Sequence, residues 1–172
     1  MLHDIGKIAV PDAILNKRTK LSAEEYDIIK VHAAVGHEIL KRIPHLEPSN
    51  LIVRHHHERW DGAGYLDKLA GEAIPCLARV LAIADSYDAM TSDRAYRKTK
   101  THDQAMAEIR RCAGGQFDPE MAAVFAAFTP EDLRQTEDAM RRWINSKDHG
   151  ELLSLETLIA MKKPLIQPPP ED

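Results

Sequence analysis

The chain has 172 residues and a formal net charge of −4, with 44% hydrophobic and 29% charged residues. This composition is typical of a globular domain and excludes a fibrous or disordered chain. No apolar run reaches the roughly 18 residues of a membrane span, and the modest negative charge argues against non-specific nucleic-acid binding. Two widely separated cysteines and the lack of a signal-peptide pattern predict a cytoplasmic protein.

Capping signals and turn residues predict helices rather than strands. Ser22 and Glu25 match a capping box, which predicts a helix that begins after Ser22 and ends near Arg42. A helix is also predicted over about 77–90, and its inward stripe is predicted to contain Leu77, Val80 or Leu81, Ala84 and Asp85, and Asp88. Further helices are predicted to begin near residue 48 and after Thr101, Asp118 and Thr129. The last predicted helix covers about 152–161.

Imidazole and carboxylate side chains recur on the predicted inward faces of four segments. Taken alone, each segment can be explained without a metal: as a surface His-Asp pair, a hydrogen-bonded core histidine, a polar helix end or a carboxylate paired with arginine. One buried multi-metal cluster would explain all four together. The set lacks thiolate, which favours Fe or Mn, or else Zn, Ni or Co, over a structural zinc site. The candidates are His3, Asp4, His32, the run His55–His57 and Asp85.

The consecutive histidines raise a geometric question. Adjacent residues of a helix diverge by about 100°, so neighbouring imidazoles are expected to serve two metals, or one metal and a substrate. Asp85 raises a second question, because a buried carboxylate needs a partner. That partner is either a metal or one of three arginines, namely Arg54, Arg79 and Arg94.

Two loops have less specific patterns. The turn at 62–65 is rich in glycine but matches no established phosphate-binding spacing, so by itself it predicts only a turn. Arg94, Arg97 and Lys98 predict either an exposed basic loop or a phosphate contact.

Five blocks together resemble the HD-GYP family, a branch of the HD-domain metal-dependent phosphohydrolases. The resemblance covers about residues 1–128 and implies an all-α HD-domain helical bundle over that range. The capping residues after 128 and the proline-rich end of the chain predict a C-terminal helical extension over 129–163 and a disordered tail over 164–172. The resemblance also implies two or three divalent metals, Fe or Mn, and two-metal hydrolysis of cyclic di-GMP to pGpG or GMP. The blocks are HDIGK (3–7), LSAEEYDIIKVHAAVGHEIL (21–40), HHERWDGAGY (56–65), LARVLAIADSYDAMTSDRAYR (77–97) and GGQFDPEM (114–121).

The resemblance also implies roles for individual residues. Lys7 would contact the scissile phosphate or the attacking hydroxide, Tyr65 lies in the loop that names the family, and Arg94 and Arg97 match phosphate-contacting positions. His55 is an extra histidine before the matching pair, so a one-residue shift in register stays open. The implied metal ligands are His3, Asp4 as the bridging ligand, His32, His56, His57 and Asp85.

This chain departs from the family pattern in two ways. Leu66 stands where the family has proline. Because proline fixes φ, its replacement by leucine is expected to leave the loop more flexible. The chain also begins two residues before His3, so the family's first helices, with an upstream histidine ligand, are expected to be missing. One metal would then lose a ligand. An upstream sensor or receiver domain in a longer protein and GGDEF-domain partners are expected from the same resemblance.

Two alternatives follow from these departures. The chain could be a degenerate domain of weak activity that binds cyclic di-GMP or a GGDEF-type partner. It could also hydrolyse another nucleotide, because a fold does not determine a substrate.

Overall fold

The computed structural model describes residues 2–92 and 98–145, with no side chains described at 47, 48 and 143–145. These residues form helices and turns without a strand, so the predicted all-α class is confirmed. A 3-10 helix over Leu2–Ala9 comes first, and a short 3-10 turn over Gly71–Ala73 precedes α4. The α-helices are α1 (Asp12–Leu15), α2 (Ala23–Leu40), α3 (Glu47–His55), α4 (Cys76–Thr91), α5 (His102–Arg111), α6 (Pro119–Phe125) and α7 (Pro130–Asn145).

Helix α2 begins where its capping box predicts. The Ser22 hydroxyl accepts a hydrogen bond from the Glu25 amide at 3.2 Å, and the Glu25 carboxylate accepts one from the Ser22 amide at 2.8 Å. Thr101 and Gln104 make the same reciprocal pair before α5. These bonds satisfy amides that the first helical turn would otherwise leave unpaired, so sequence alone locates the helix starts.

The N-terminal 3-10 helix lies directly on α2 at a glycine. A Cβ atom added to Gly6 would stand 1.9 Å from the carbonyl oxygen of His32 and 2.5 Å from the amide nitrogen of Gly36. Only a residue without a side chain allows this approach. The contact brings His3 and Asp4 alongside His32.

The predicted inward stripe of α4 is wrong in part. Leu77 and Val80 are 57% and 44% exposed, whereas the buried residues of α4 include Ala78 and Ile83. The prediction followed the largest apolar side chains, but the packed face uses the small Ala78, which is fully buried. Asp85 is consequently half-buried beside a cavity instead of lying in the core.

Contacts divide the chain into two units, residues 1–128 and 129–172. In the second unit, Thr129 caps α7 by accepting the amide of Asp132 at 3.2 Å. The predicted helix at 152–161 and the predicted tail 164–172 lie outside the described residues, and the boundary at 163 stays a prediction. Among the helices of the described residues, none has the length and apolarity needed to cross a membrane.

The glycine contact predicts a large effect of one methyl group. Gly6→Ala should lower the free energy of unfolding by about 2 kcal/mol and Tm by at least about 5 °C, because the added Cβ overlaps α2 backbone that cannot rotate away. Gly115→Ala is the matched control, since its added Cβ would come no closer than 3.7 Å to any atom. Equal thermal stability of the two variants would contradict this packing.

Candidate metal centre

Two buried histidines present unpaired nitrogen atoms. Nδ1 of His32 is 2.6 Å from the carbonyl oxygen of Ile29, and Nδ1 of His56 is 2.7 Å from that of Val53. A carbonyl only accepts, so each Nδ1 carries the proton and each Nε2 keeps a lone pair. Both Nε2 atoms are buried and lack a hydrogen-bond partner. Backbone carbonyls thus fix the tautomer and ring orientation that a metal ligand requires.

His57 joins the same group. One ring nitrogen from each of His32, His56 and His57 lies within 4.8 Å of the others, close enough for one ion. The rings of His56 and His57 are only 4.0 Å apart between centroids. The expected divergence of adjacent imidazoles does not hold here, because α3 ends at His55 and the chain turns.

Asp4 lies between this group and a second one. Its Oδ1 is 3.9 Å from Nε2 of His32, whereas its Oδ2 is 3.5 Å from Nε2 of His3. The same His3 nitrogen is 3.6 Å from Oδ1 of Asp85. The two oxygens of Asp4 therefore face different neighbours, which is the geometry that a bridging carboxylate needs.

The protonation states suit metal binding. Burial lowers the pKa of His56 to about 4 and that of His57 to about 3, and burial also lowers the pKa of His32. Burial raises the pKa of Asp4, but the hydrogen bond from Lys7 and nearby positive charges outweigh it, so that pKa is lowered overall. Near neutral pH the cluster offers neutral imidazoles and a carboxylate, the forms that bind metal.

These residues fit a divalent metal ion. A buried nitrogen without a partner destabilises a protein, and native structures rarely contain one without a reason. A cation at the unpaired Nε2 atoms of His32 and His56 would supply the missing partner. Nitrogen and oxygen ligands without thiolate are compatible with Fe, Mn or Zn.

His55 points elsewhere. Its side chain is buried with Nδ1 at 3.6 Å from Oδ2 of Asp67 and 4.0 Å from Oε1 of Glu58. Burial lowers the pKa of His55, as it does for the cluster histidines. Of the three consecutive histidines, His56 and His57 face His32.

Glu58 is a structural residue that the sequence reasoning missed. Its buried carboxylate accepts the backbone amide of Asp67 at 2.7 Å, and Asp67 in turn forms two 2.7 Å hydrogen bonds with Arg54. A Cβ at Gly64 would lie 2.5 Å from the Glu58 backbone. The loop after the histidine pair is therefore packed against Glu58. The available signal was an acidic residue placed between His57 and a glycine-rich turn.

The loop also places Tyr65 in the site. Its ring stacks on His57 with 4.9 Å between centroids, and burial raises the pKa of its hydroxyl. The peptide bond between Tyr65 and Leu66 is cis. Tyr65 lines a cavity of about 360 Å³, together with His3, Asp4, Lys7, His32, His57 and Asp85.

The arginine alternatives for Asp85 are resolved only in part. Arg54 pairs with Asp67, and Arg79 pairs with Asp118 at 2.6 Å. Arg94 and Arg97, predicted to contact phosphate, lie outside the described residues. Within the described part of the chain, Asp85 lies beside His3, whose Nε2 is 3.6 Å from Oδ1 of Asp85.

The geometry agrees with the family comparison. Residues 1–121 match the family described as HD domain. The chain belongs to the HD-domain family. Its similarity to curated cyclic di-GMP phosphodiesterases also confirms the HD-GYP resemblance.

Three relatives illustrate the range of similar proteins. The chain is 45% identical over 120 residues to the cyclic di-GMP phosphodiesterase response regulator RpfG of Xanthomonas campestris, covering 69% of this chain and 32% of the relative. It is 42% identical over 132 residues to a cyclic di-GMP phosphodiesterase of Thermotoga maritima, covering 76% and 36%. It is 41% identical over 122 residues to the 3′3′-cGAMP-specific phosphodiesterase 2 of Vibrio cholerae, covering 70% and 23%. The chain thus spans about a third or less of these relatives.

Metal binding should depend on the unpaired nitrogen of His56. Mn²⁺ at about 100 times its Kd should stabilise the wild type by about 2.7 kcal/mol, measured as a rise in Tm. His56→Ala should lose most of that rise and most of the bound Mn²⁺ measured by elemental analysis. His45→Ala, at an exposed histidine, is the control and should keep both. Undiminished metal binding by His56→Ala would refute the assignment.

Proposed function

We propose that this chain is a metal-dependent phosphodiesterase that hydrolyses cyclic di-GMP to pGpG or GMP. The observation that carries the proposal is the pair of buried, unpaired Nε2 atoms of His32 and His56, with Oδ1 of Asp4 at 3.9 Å from that of His32. The names of relatives such as RpfG support cyclic di-GMP as the substrate.

We infer two groups of metal ligands that share one carboxylate. His32, His56 and His57 would hold one ion with Asp4, whereas His3 and Asp85 would hold another with Asp4. The second group has fewer imidazoles, so its ion should bind more weakly. Fe or Mn is proposed, with two or three ions in all. Bound metals of this kind lower the pKa of water and stabilise the negative charge of a phosphodiester under attack.

Lys7 would act on the phosphate. Its ammonium is 2.7 Å from Oδ2 of Asp4 and is partly exposed to the cavity that the candidate ligands line. A cation at this point would bind a non-bridging phosphate oxygen and offset the negative charge that grows during hydrolysis. Asp4 holds the flexible lysine chain in position before the substrate arrives.

Tyr65 would shape the other side of the same cavity. Its ring covers one face of His57, which limits the approach of water to that imidazole. The proposed contacts of Arg94 and Arg97 with phosphate come from the HD-GYP resemblance alone, as do GGDEF-domain partners and an upstream sensor or receiver domain. A cytoplasmic location is proposed from the two widely separated cysteines.

A second cyclic dinucleotide is a specific alternative. One relative of similar identity is named as specific for 3′3′-cGAMP, so both nucleotides belong in the test. Because Leu66 stands in place of the family's proline, the experiment also tests the degenerate alternative, in which the chain binds a nucleotide without hydrolysing it. The discriminating experiment incubates the Mn²⁺-loaded full chain with each nucleotide and measures products by chromatography. Faster conversion of cyclic di-GMP supports the proposal, whereas binding without conversion of either nucleotide supports the degenerate alternative.

Lys7 should affect turnover more than metal content. Lys7→Ala should lower kcat for cyclic di-GMP by about 10²–10³-fold, as expected for the loss of one group that stabilises transition-state charge. Bound Mn²⁺ should stay near the wild-type amount, because Lys7 is not a ligand. Lys20→Ala, at an exposed lysine, is the matched control. A Lys7→Ala enzyme with unchanged kcat would show that this ammonium has no part in the reaction.

A further inference from the structure

A second, smaller cavity adjoins the candidate metal centre. Its volume is about 220 Å³, and it shares His57, Tyr65 and Asp85 with the larger cavity. Its other walls come from the loop after α3, from Ala82 and Ser86 of α4, and from the loop between α5 and α6. A group inside it would be next to whatever occupies the metal centre. The volume is below the roughly 300–1,000 Å³ of pockets that take a whole drug-sized ligand.

Backbone hydrogen bonds bring Gln116 to this cavity. The Trp60 amide donates to the Gln116 carbonyl at 3.1 Å, and the Asp61 amide donates to the Gly115 carbonyl at 2.9 Å. The loop at 112–117 is thereby tied to the turn that follows the histidine pair. The GGQFDPEM block, which the proposed chemistry does not use, thus reaches the site through Gln116.

The Gln116 side chain retains hydrogen-bonding capacity. Its Nε2 donates to the Ser86 hydroxyl over a long 3.4 Å. A carboxamide offers two N–H donors and two acceptor lone pairs, so this one weak bond uses little of what it can form. A ligand with adjacent donor and acceptor groups could take up the rest.

The two cavities differ in the charged residues that line them. Lys7 lines the larger cavity, where a phosphate is proposed to bind. Among the described residues that line the smaller cavity, the permanent cation is Arg59, whose guanidinium is already held by Asp61 through bonds of 3.0 and 2.6 Å. Asp85 and Glu58 also line it, which disfavours an anion. The smaller cavity thus suits a neutral polar group.

We propose that the smaller cavity binds one purine base of the substrate and that Gln116 reads the edge of that base. The proposal rests on the proposed function, since a base is attached to the phosphate that Lys7 would contact. Purine edges carry adjacent donors and acceptors, which pair well with a carboxamide. The Tyr65 ring supplies an aromatic wall for the flat base.

The test compares two phosphates that differ in the base. GMP and ribose 5-phosphate are titrated by calorimetry into the Mn²⁺-loaded full chain. The wild type should bind GMP more tightly, and Gln116→Met should reduce that preference by about 5- to 20-fold, the loss of one or two hydrogen bonds. Methionine keeps the length of the side chain and the backbone bond to Trp60. Gln135→Met, at an exposed glutamine of α7, is the matched control and should keep the preference.

A second variant tests occupancy by size. Ala63 is exposed at the cavity lining, so Ala63→Leu should fill part of the space and also reduce the preference for GMP. A wild type that binds GMP no more tightly than ribose 5-phosphate would overturn the base pocket, as would Gln116→Met and Ala63→Leu variants that both keep the full preference. Hydrolysis is measured separately, so an inactive chain that still prefers GMP would contradict the proposed function and not the base pocket.

Discussion

The candidate metal centre depends on the contact between Gly6 and the backbone of α2. This approach carries the first His-Asp pair against the helix that holds His32, so the two oxygens of Asp4 face His32 and His3. A side chain at position 6 would separate the pair from α2. His56 and His57 follow α3, which packs on α2, so both sides of the centre are positioned by one helix.

The orientation that suits these imidazoles for metal binding destabilises the protein without metal. Backbone carbonyls three residues earlier hold Nδ1 of His32 and of His56, which leaves each Nε2 buried and unpaired. Burial keeps these rings neutral, as the lowered pKa values indicate. The arrangement is unfavourable without a cation and favourable with one, so metal binding and stability should be coupled. Glu58 accepts a hydrogen bond from the Asp67 amide and so holds the loop that carries Tyr65.

Features that depend on local sequence were predicted better than features that depend on long-range packing. The capping boxes at Ser22 and Thr101 located helix starts because their hydrogen bonds join residues three apart. The inward face of α4 was partly wrong, since which side of a helix is buried depends on its neighbours, and there the close contact uses Ala78. The divergence expected for His56 and His57 failed because it assumed that α3 continued. The role of Glu58 depends on a partner nine residues away, which no helical or strand spacing predicts.

The most direct measurement is anomalous diffraction from crystals of the full chain grown with Mn²⁺. The proposed centre predicts one strong peak next to Nε2 of His32 and of His56, and a weaker peak across Asp4, about 3.5–4 Å from the first. A protein whose histidine cluster stays without a peak, while Mn²⁺ binds only at carboxylates elsewhere on the surface, would contradict a metal centre at this place.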